Sequence, residues 1–246
     1  MRAIIKALPQ ENIIYFGDTA RLPYGNKSAD TVLRYCLENA NFLQNLGIKL
    51  LVVACHTACS HGLEVLTQKL SIPVVGVLST GIEEAMRISA RGHIAVLGTK
   101  GTISSGVYQN KLKQKIPHAE IQAIACPLFV PLVEEGYYNH DIARAVTREY
   151  LAPLKEKQVD TVLLACTHYP LLEEVIQEEL SPVVKLIDPA ESCAQHVKEL
   201  LAKHHMGNDS QNSPQYTFFV SDDPEKFTSM GKIFLGHPIH QVFLTP

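Results

Sequence analysis

LVVACHT at residues 51–57 and VLLACTH at 162–168 are one pattern written twice: an apolar, β-branched run, then Ala-Cys, then a Thr and a His side by side. In open parallel sheets ligands bind beyond the carboxyl ends of strands, where the start of the following helix also favours negative charge. Each copy therefore puts a cysteine, Cys55 or Cys166, where a thiolate is favoured, and predicts a thiol pKa lowered from its usual value of roughly 8.5 toward neutrality. A lone Ala-Cys after a strand is more often core packing than chemistry, because cysteine is among the most buried residue types. Two matched copies shift that balance.

Outward from these two runs the same rhythm fills the chain. NIIYF (12–16), KLLVVA (49–54), PVVGV (73–77), HIAVLG (93–98), IQAIA (121–125), TVLLA (161–165) and VVKLI (183–187) alternate with helical stretches. The runs are nearly all apolar, as strands covered on both faces must be, so the pattern predicts an α/β fold with mainly parallel sheets flanked by helices. Ser28 to Leu46 reads as a helix capped by Ser28 and stopped by Gly47, and 141–157 and 171–180 carry helical spacing. HHMGNDSQNSPQ (204–215) reads as a surface loop. YTFFVS after it reads as a strand that pairs with the closing HPIHQVFL and packs back on the first part of the chain.

Composition narrows the function. With 246 residues, 46% apolar and 19% charged, the chain has material for one large domain or two modest globular lobes. A formal charge of -3 with scattered Lys and Arg offers no basic stripe for nucleic acid. No apolar run spans a bilayer and MRAIIKALPQ carries no secretory h-region, so the expected location is the cytoplasm. Six cysteines, at 36, 55, 59, 126, 166 and 193, are too sparse for a disulfide scaffold and stay reduced there.

Two opposed thiols suit one reaction type: a thiolate removes an α-proton from one face and the other thiol delivers a proton to the opposite face, which is racemisation. His168 or Glu134 is placed to assist. A zinc site built from Cys55, His56, Cys59 and His61, with Cys166 and His168 nearby, lacks the CxxC pairing of structural zinc; no metal is expected.

Beyond these runs, YFGDTARLPYGNKS (15–28), VVACHTACS (52–60), VLGTKGTISSGVY (96–108), CPLFVPLVEEG (126–136), LLACTHYPLL (163–172) and IDPA (187–190) together resemble the glutamate racemases of the aspartate/glutamate racemase family. The resemblance implies two pseudo-symmetric lobes, 1–79 with 190–246 and 80–189, and an active site between them. It further implies conversion of L- to D-glutamate for peptidoglycan without a cofactor, in a bacterial homodimer. Carried over by motif, Cys55 and Cys166 are the acid/base thiols with His168. Tyr24, Gly25, His56, Thr57 and Thr167 contact the substrate, and Asp18 and Glu134 lie beside it. Taken alone, LPYG is a plain turn and Asp18 and Glu134 are ordinary solvated or capping carboxylates. Gly backbone amides and Thr hydroxyls nonetheless suit a carboxylate ligand.

Two departures stand out. The family pattern opens with a strand and an Asp-Ser-Gly turn that belong to the site, whereas this sequence begins at MRAIIKALPQ, which resembles the helix that follows that turn. A start codon set too far downstream explains this more simply than a rearranged first lobe, because a buried strand is worth several kcal/mol against a total of about 5–15. His56 stands where the pattern has Asn, which puts substrate placement beside Cys55 in question. The alternatives are a racemase of another acidic amino acid such as aspartate and a catalytically impaired amino-acid-binding protein.

Overall fold

Every strand pair in the computed structural model, which describes residues 1–245, is parallel. The chain opens with α1 (Arg2–Ala7), β1 (Ile13–Gly17), α2 (Ala29–Asn45), β2 (Leu51–Val53), α3 (His56–Lys69), β3 (Val74–Gly76) and α4 (Val77–Ile88). Next come β4 (His93–Gly98), α5 (Lys100–Ser104), α6 (Val107–Lys115), β5 (Glu120–Ala125), α7 (Phe129–Glu134), α8 (Asp141–Leu151), β6 (Thr161–Ala165), α9 (Glu173–Glu179) and β7 (Lys185–Ile187). The chain ends with α10 (Ala190–Lys203), β8 (Tyr216–Val220), α11 (Pro224–Leu235) and β9 (Val242–Leu244). This is the α/β architecture that the apolar runs predict.

The strands form three sheets, ordered β5-β4-β6-β7, β1-β8-β9 and β2-β3. The four-stranded sheet is covered on both faces. Alternate residues of β4 and β6 enter different clusters: Ile94, Val96 and Leu163 join Leu51, Val53, Leu78 and Val197, while Ala95, Leu97, Val162 and Leu164 pack on Phe129, Leu151, Tyr169 and Leu172. All of β6 is buried, which is why TVLLA contains no charged residue. Cutting a leucine such as Leu97 back to alanine in such a layer costs about 2–5 kcal/mol. The first cluster also ties β2 and β3 to the four-stranded sheet.

Local rules set the ends. The Ser28 hydroxyl accepts from the Thr31 amide, 3.3 Å away, and caps α2, a contact worth about 1 kcal/mol. Helix α8 stops at Leu151, short of the predicted 157, because Pro153 cannot continue it and forces one tight turn over 152–154. Pro170 does the same at 169–172, so α9 begins at Glu173 rather than near 171. The C-terminal pairing is present, with Phe218 opposite Val242, and β8 also joins β1. Helix α11, between the two, was not anticipated, and such a crossover is what parallel neighbours need. Among the described residues no helix is long and apolar enough to cross a membrane.

Candidate active site

Cys55 is the N-cap residue of α3, two residues past the end of β2. The amides of Thr57 and Ala58 and the Thr57 hydroxyl favour its thiolate, as a helix start should. Burial outweighs them and raises the thiol pKa. Cys166 directly follows β6 and is 7% exposed. The His168 and Tyr169 amides favour its thiolate, yet burial pushes its pKa up to about 12, and the nearby Cys55 adds to that rise. The sequence predicts the opposite direction for both thiols. That expectation fails because removing a thiolate from water costs more than the helix-start amides return, and because only a single tight turn, not a helix, follows Cys166.

His168 bridges two neighbouring groups. Its Nε2 lies 2.7 Å from Oε1 of Glu134, the last residue of α7, and its Nδ1 faces the Cys166 sulfur at 3.9 Å. Glu134 is held below the usual carboxylate range, first by His168 and then by Lys226 of α11, whose Nζ is 3.7 Å away. Phe234, also on α11, meets the His168 ring edge to face at 5.7 Å. Thr167 is exposed beside the imidazole, with its Oγ1 3.4 Å from Nδ1.

The LPYG segment is clamped. The Tyr24 hydroxyl donates to Asp18, which also accepts from Arg21 at 2.8 Å, Ser221 at 3.0 Å and Asn39 at 3.3 Å. These donors keep the Asp18 pKa low despite burial. Asp18 thus stands behind Tyr24, its oxygens already occupied by protein donors. Gly25 has no positive φ; what it supplies is closeness, since a Cβ there would come within 2.4 Å of the Thr99 Cβ. Thr57, Thr99 and Thr102 share their hydroxyls at 2.9 to 3.1 Å, joining the start of α3 to the loop after β4. His56 is 4% exposed, and its Nδ1 lies 2.5 Å from the Tyr108 hydroxyl.

The structure therefore gathers Cys166, Thr167, His168 and Glu134 into one group. It places Cys55, His56 and Thr57 in sequence at the start of α3, and binds Asp18 to Tyr24. The buried Tyr108 lies within electrostatic reach of Cys59, Cys55 and Cys166. Sequence reasoning missed Thr99, Thr102, Tyr108 and Ser221. The first three lie in the VLGTKGTISSGVY segment, where two Gly-Thr pairs were the available signal. Among the described residues no group of three or more His, Cys, Asp or Glu side chains could hold a metal ion.

A family model described as Asp/Glu/Hydantoin racemase matches residues 1–197. The glutamate racemase of Geobacter metallireducens is 49% identical over 243 residues, covering 99% of this chain and 90% of that protein. Among solved structures, the glutamate racemase of Francisella tularensis in complex with D-glutamate superposes with a TM-score of 0.94 at 33% identity, covering 100% of this chain and 91% of that one. A glutamate racemase isoform from Bacillus anthracis gives 0.94 at 35%, covering 99% and 91%. An aspartate racemase from Picrophilus torridus, at 17% identity and a TM-score of 0.57 over 82% of this chain and 88% of that one, shares the fold alone. With its two Ala-Cys strand ends set in this α/β frame, the chain belongs to the Asp/Glu/hydantoin racemase family.

Proposed function

We propose that this chain interconverts L- and D-glutamate by proton transfer between two thiols, an isomerase reaction that needs no cofactor and supplies D-glutamate for peptidoglycan. The observation that carries the reading is the pair of cysteines at matched strand ends, Cys166 buried and Cys55 half-buried, with Cys55 near enough to raise the pKa of Cys166. The thiolate on one side takes the α-proton, and the resulting carbanion takes a proton from the thiol on the other side. The two cysteines thereby exchange protonation states, and the reverse reaction uses them in swapped roles. Burial, which raises both pKa values, makes each thiolate a stronger base once formed. His168, oriented by Glu134, serves Cys166 as the proton-handling partner.

Tyr24, Gly25, His56, Thr57 and Thr167 are the substrate contacts in this reading. Asp18 acts through Tyr24. The lobes are 1–79 with 190–246 and 80–189, the protein works as a homodimer, and its compartment is the cytoplasm. Glutamate is preferred to aspartate because the relatives that match nearly the full chain are glutamate racemases. The test is incubation with each enantiomer in deuterated water. Exchange of the α-proton with decay of the circular-dichroism signal supports the reading, binding without exchange selects the impaired binding protein, and turnover of aspartate alone shifts the substrate.

A further inference from the structure

His56 and Tyr108 form a buried pair that the proton-transfer scheme leaves unused. Tyr108 lies in the first turn of α6, is fully buried, and sets its hydroxyl 2.5 Å from Nδ1 of His56 in the first turn of α3, next to Cys55. The rings lie obliquely together, with centroids 6.0 Å apart and planes 30° apart. Burial keeps the imidazole neutral, with a pKa near 3, and holds the phenol well above its usual value. The ionisable groups bearing on Tyr108 are the thiols of Cys59, Cys55 and Cys166, all kept protonated by burial.

Proton counting then decides the tautomer. A neutral imidazole carries one N–H and one lone pair, and a phenol carries one O–H. Among the described residues the Tyr108 hydroxyl has no other hydrogen-bond partner. If Nδ1 held the proton, it would donate to the phenol oxygen and the phenol proton would be stranded in a dry core, which is the costly arrangement. If Nδ1 holds the lone pair, the phenol donates to it and that proton is placed. The imidazole proton then sits on Nε2, for which no protein partner is found among the described residues.

We propose that Tyr108 is a positioning residue that fixes His56 as the Nε2–H tautomer, so that position 56 offers one uncharged N–H donor to the carboxylate of an amino acid bound beside Cys55. The carboxylate part of this rests on the racemase reading; the tautomer does not. A neutral donor suits the location, because an imidazolium there would be a proton source against the thiolate.

Long-range proton–nitrogen spectra of the full chain with labelled histidine, at pH 7 and without substrate, read the tautomer directly, with H56N identifying the signals. Expected are an unprotonated Nδ1 and a protonated Nε2 in the native chain, and a mixture of tautomers in Y108F. A protonated Nδ1 in the native chain overturns the proposal, as does an unchanged tautomer in folded Y108F. This readout needs no turnover, so its failure is distinct from failure of the racemase reading. In the racemase assay Y108F should raise KM for glutamate about twofold with kcat little changed, because the competent tautomer then makes up only a fraction of the imidazoles. The same change made in H56N should leave KM where it was, because an amide has no tautomer to fix. Equal losses in both backgrounds overturn the proposal.

Discussion

Oε1 of Glu134 sits 2.7 Å from Nε2 of His168, and this contact aims the other ring nitrogen at the Cys166 sulfur, 3.9 Å away. A carboxylate on Nε2 keeps the proton there and leaves the Nδ1 lone pair facing the thiol. Glu134→Gln should therefore lower kcat for glutamate about 100-fold, the lower range for one acid/base partner, with KM little changed. Steady-state kinetics in both directions measure it, and a change confined to KM would contradict the relay.

The thiols themselves should be indispensable. Cys55→Ser and Cys166→Ser should each reduce turnover by about a thousandfold or more. Both native thiols titrate above their usual value because they are buried. The required thiolate therefore becomes more abundant as pH rises, and kcat/KM should climb close to tenfold per pH unit between roughly 7 and 8. A flat profile over that range would count against a thiolate base.

At Gly25 the close approach to Thr99 leaves no room for a methyl group, since the added carbon would lie 2.4 Å from the Thr99 Cβ. Gly25→Ala should cost about 1–3 kcal/mol and raise KM, because the LPYG segment must back away from the loop after β4. Thermal unfolding and glutamate kinetics on one preparation check both effects.

Tyr24→Phe removes one of the donors to Asp18 while Arg21, Asn39 and Ser221 remain. The expected loss is about 1–2 kcal/mol of stability, with KM affected more than kcat. Urea unfolding measures the first quantity, and an unchanged midpoint would show that the contact is not worth its burial.

His56 should make the fold sensitive to acid. Its pKa is about 3 when folded and about 6.5 when unfolded, so the unfolded chain binds the proton more tightly between those values. The stability it contributes is present above pH 6.5 and falls by about 1.4 kcal/mol per pH unit as pH drops toward 3. His56→Asn should remove that slope, so the native chain should lose about 2 kcal/mol relative to the variant between pH 6.5 and 5. Urea titrations at the two pH values decide it.

What could be read from the residues follows from where the information lies. HIAVLG and TVLLA announce their strands because both faces of the four-stranded sheet are buried and the middle of each strand is wholly apolar. The two cysteines were legible because the pattern is duplicated, which one copy in a core would not be. Thr99 and Thr102 escaped notice because a threonine gains its meaning only when a second hydroxyl arrives, and Ser221 because it meets Asp18 from 203 positions away. The direction of the thiol pKa values was misread for a similar reason: a helix start can be inferred from spacing, whereas dryness is a property of everything packed around the sulfur.

The pairing of β1 with β8 also sets the order in which the enzyme can come into being. Residues 13–17 wait for residues 216–220, and the Asp18 cluster waits for Ser221, in a chain of 246. During synthesis the first half of the site is thus left without its brace until Ser221, 203 positions further on, has emerged, and long-range closure of this kind is slow. The loop that grips Tyr24 is made long before it can be finished.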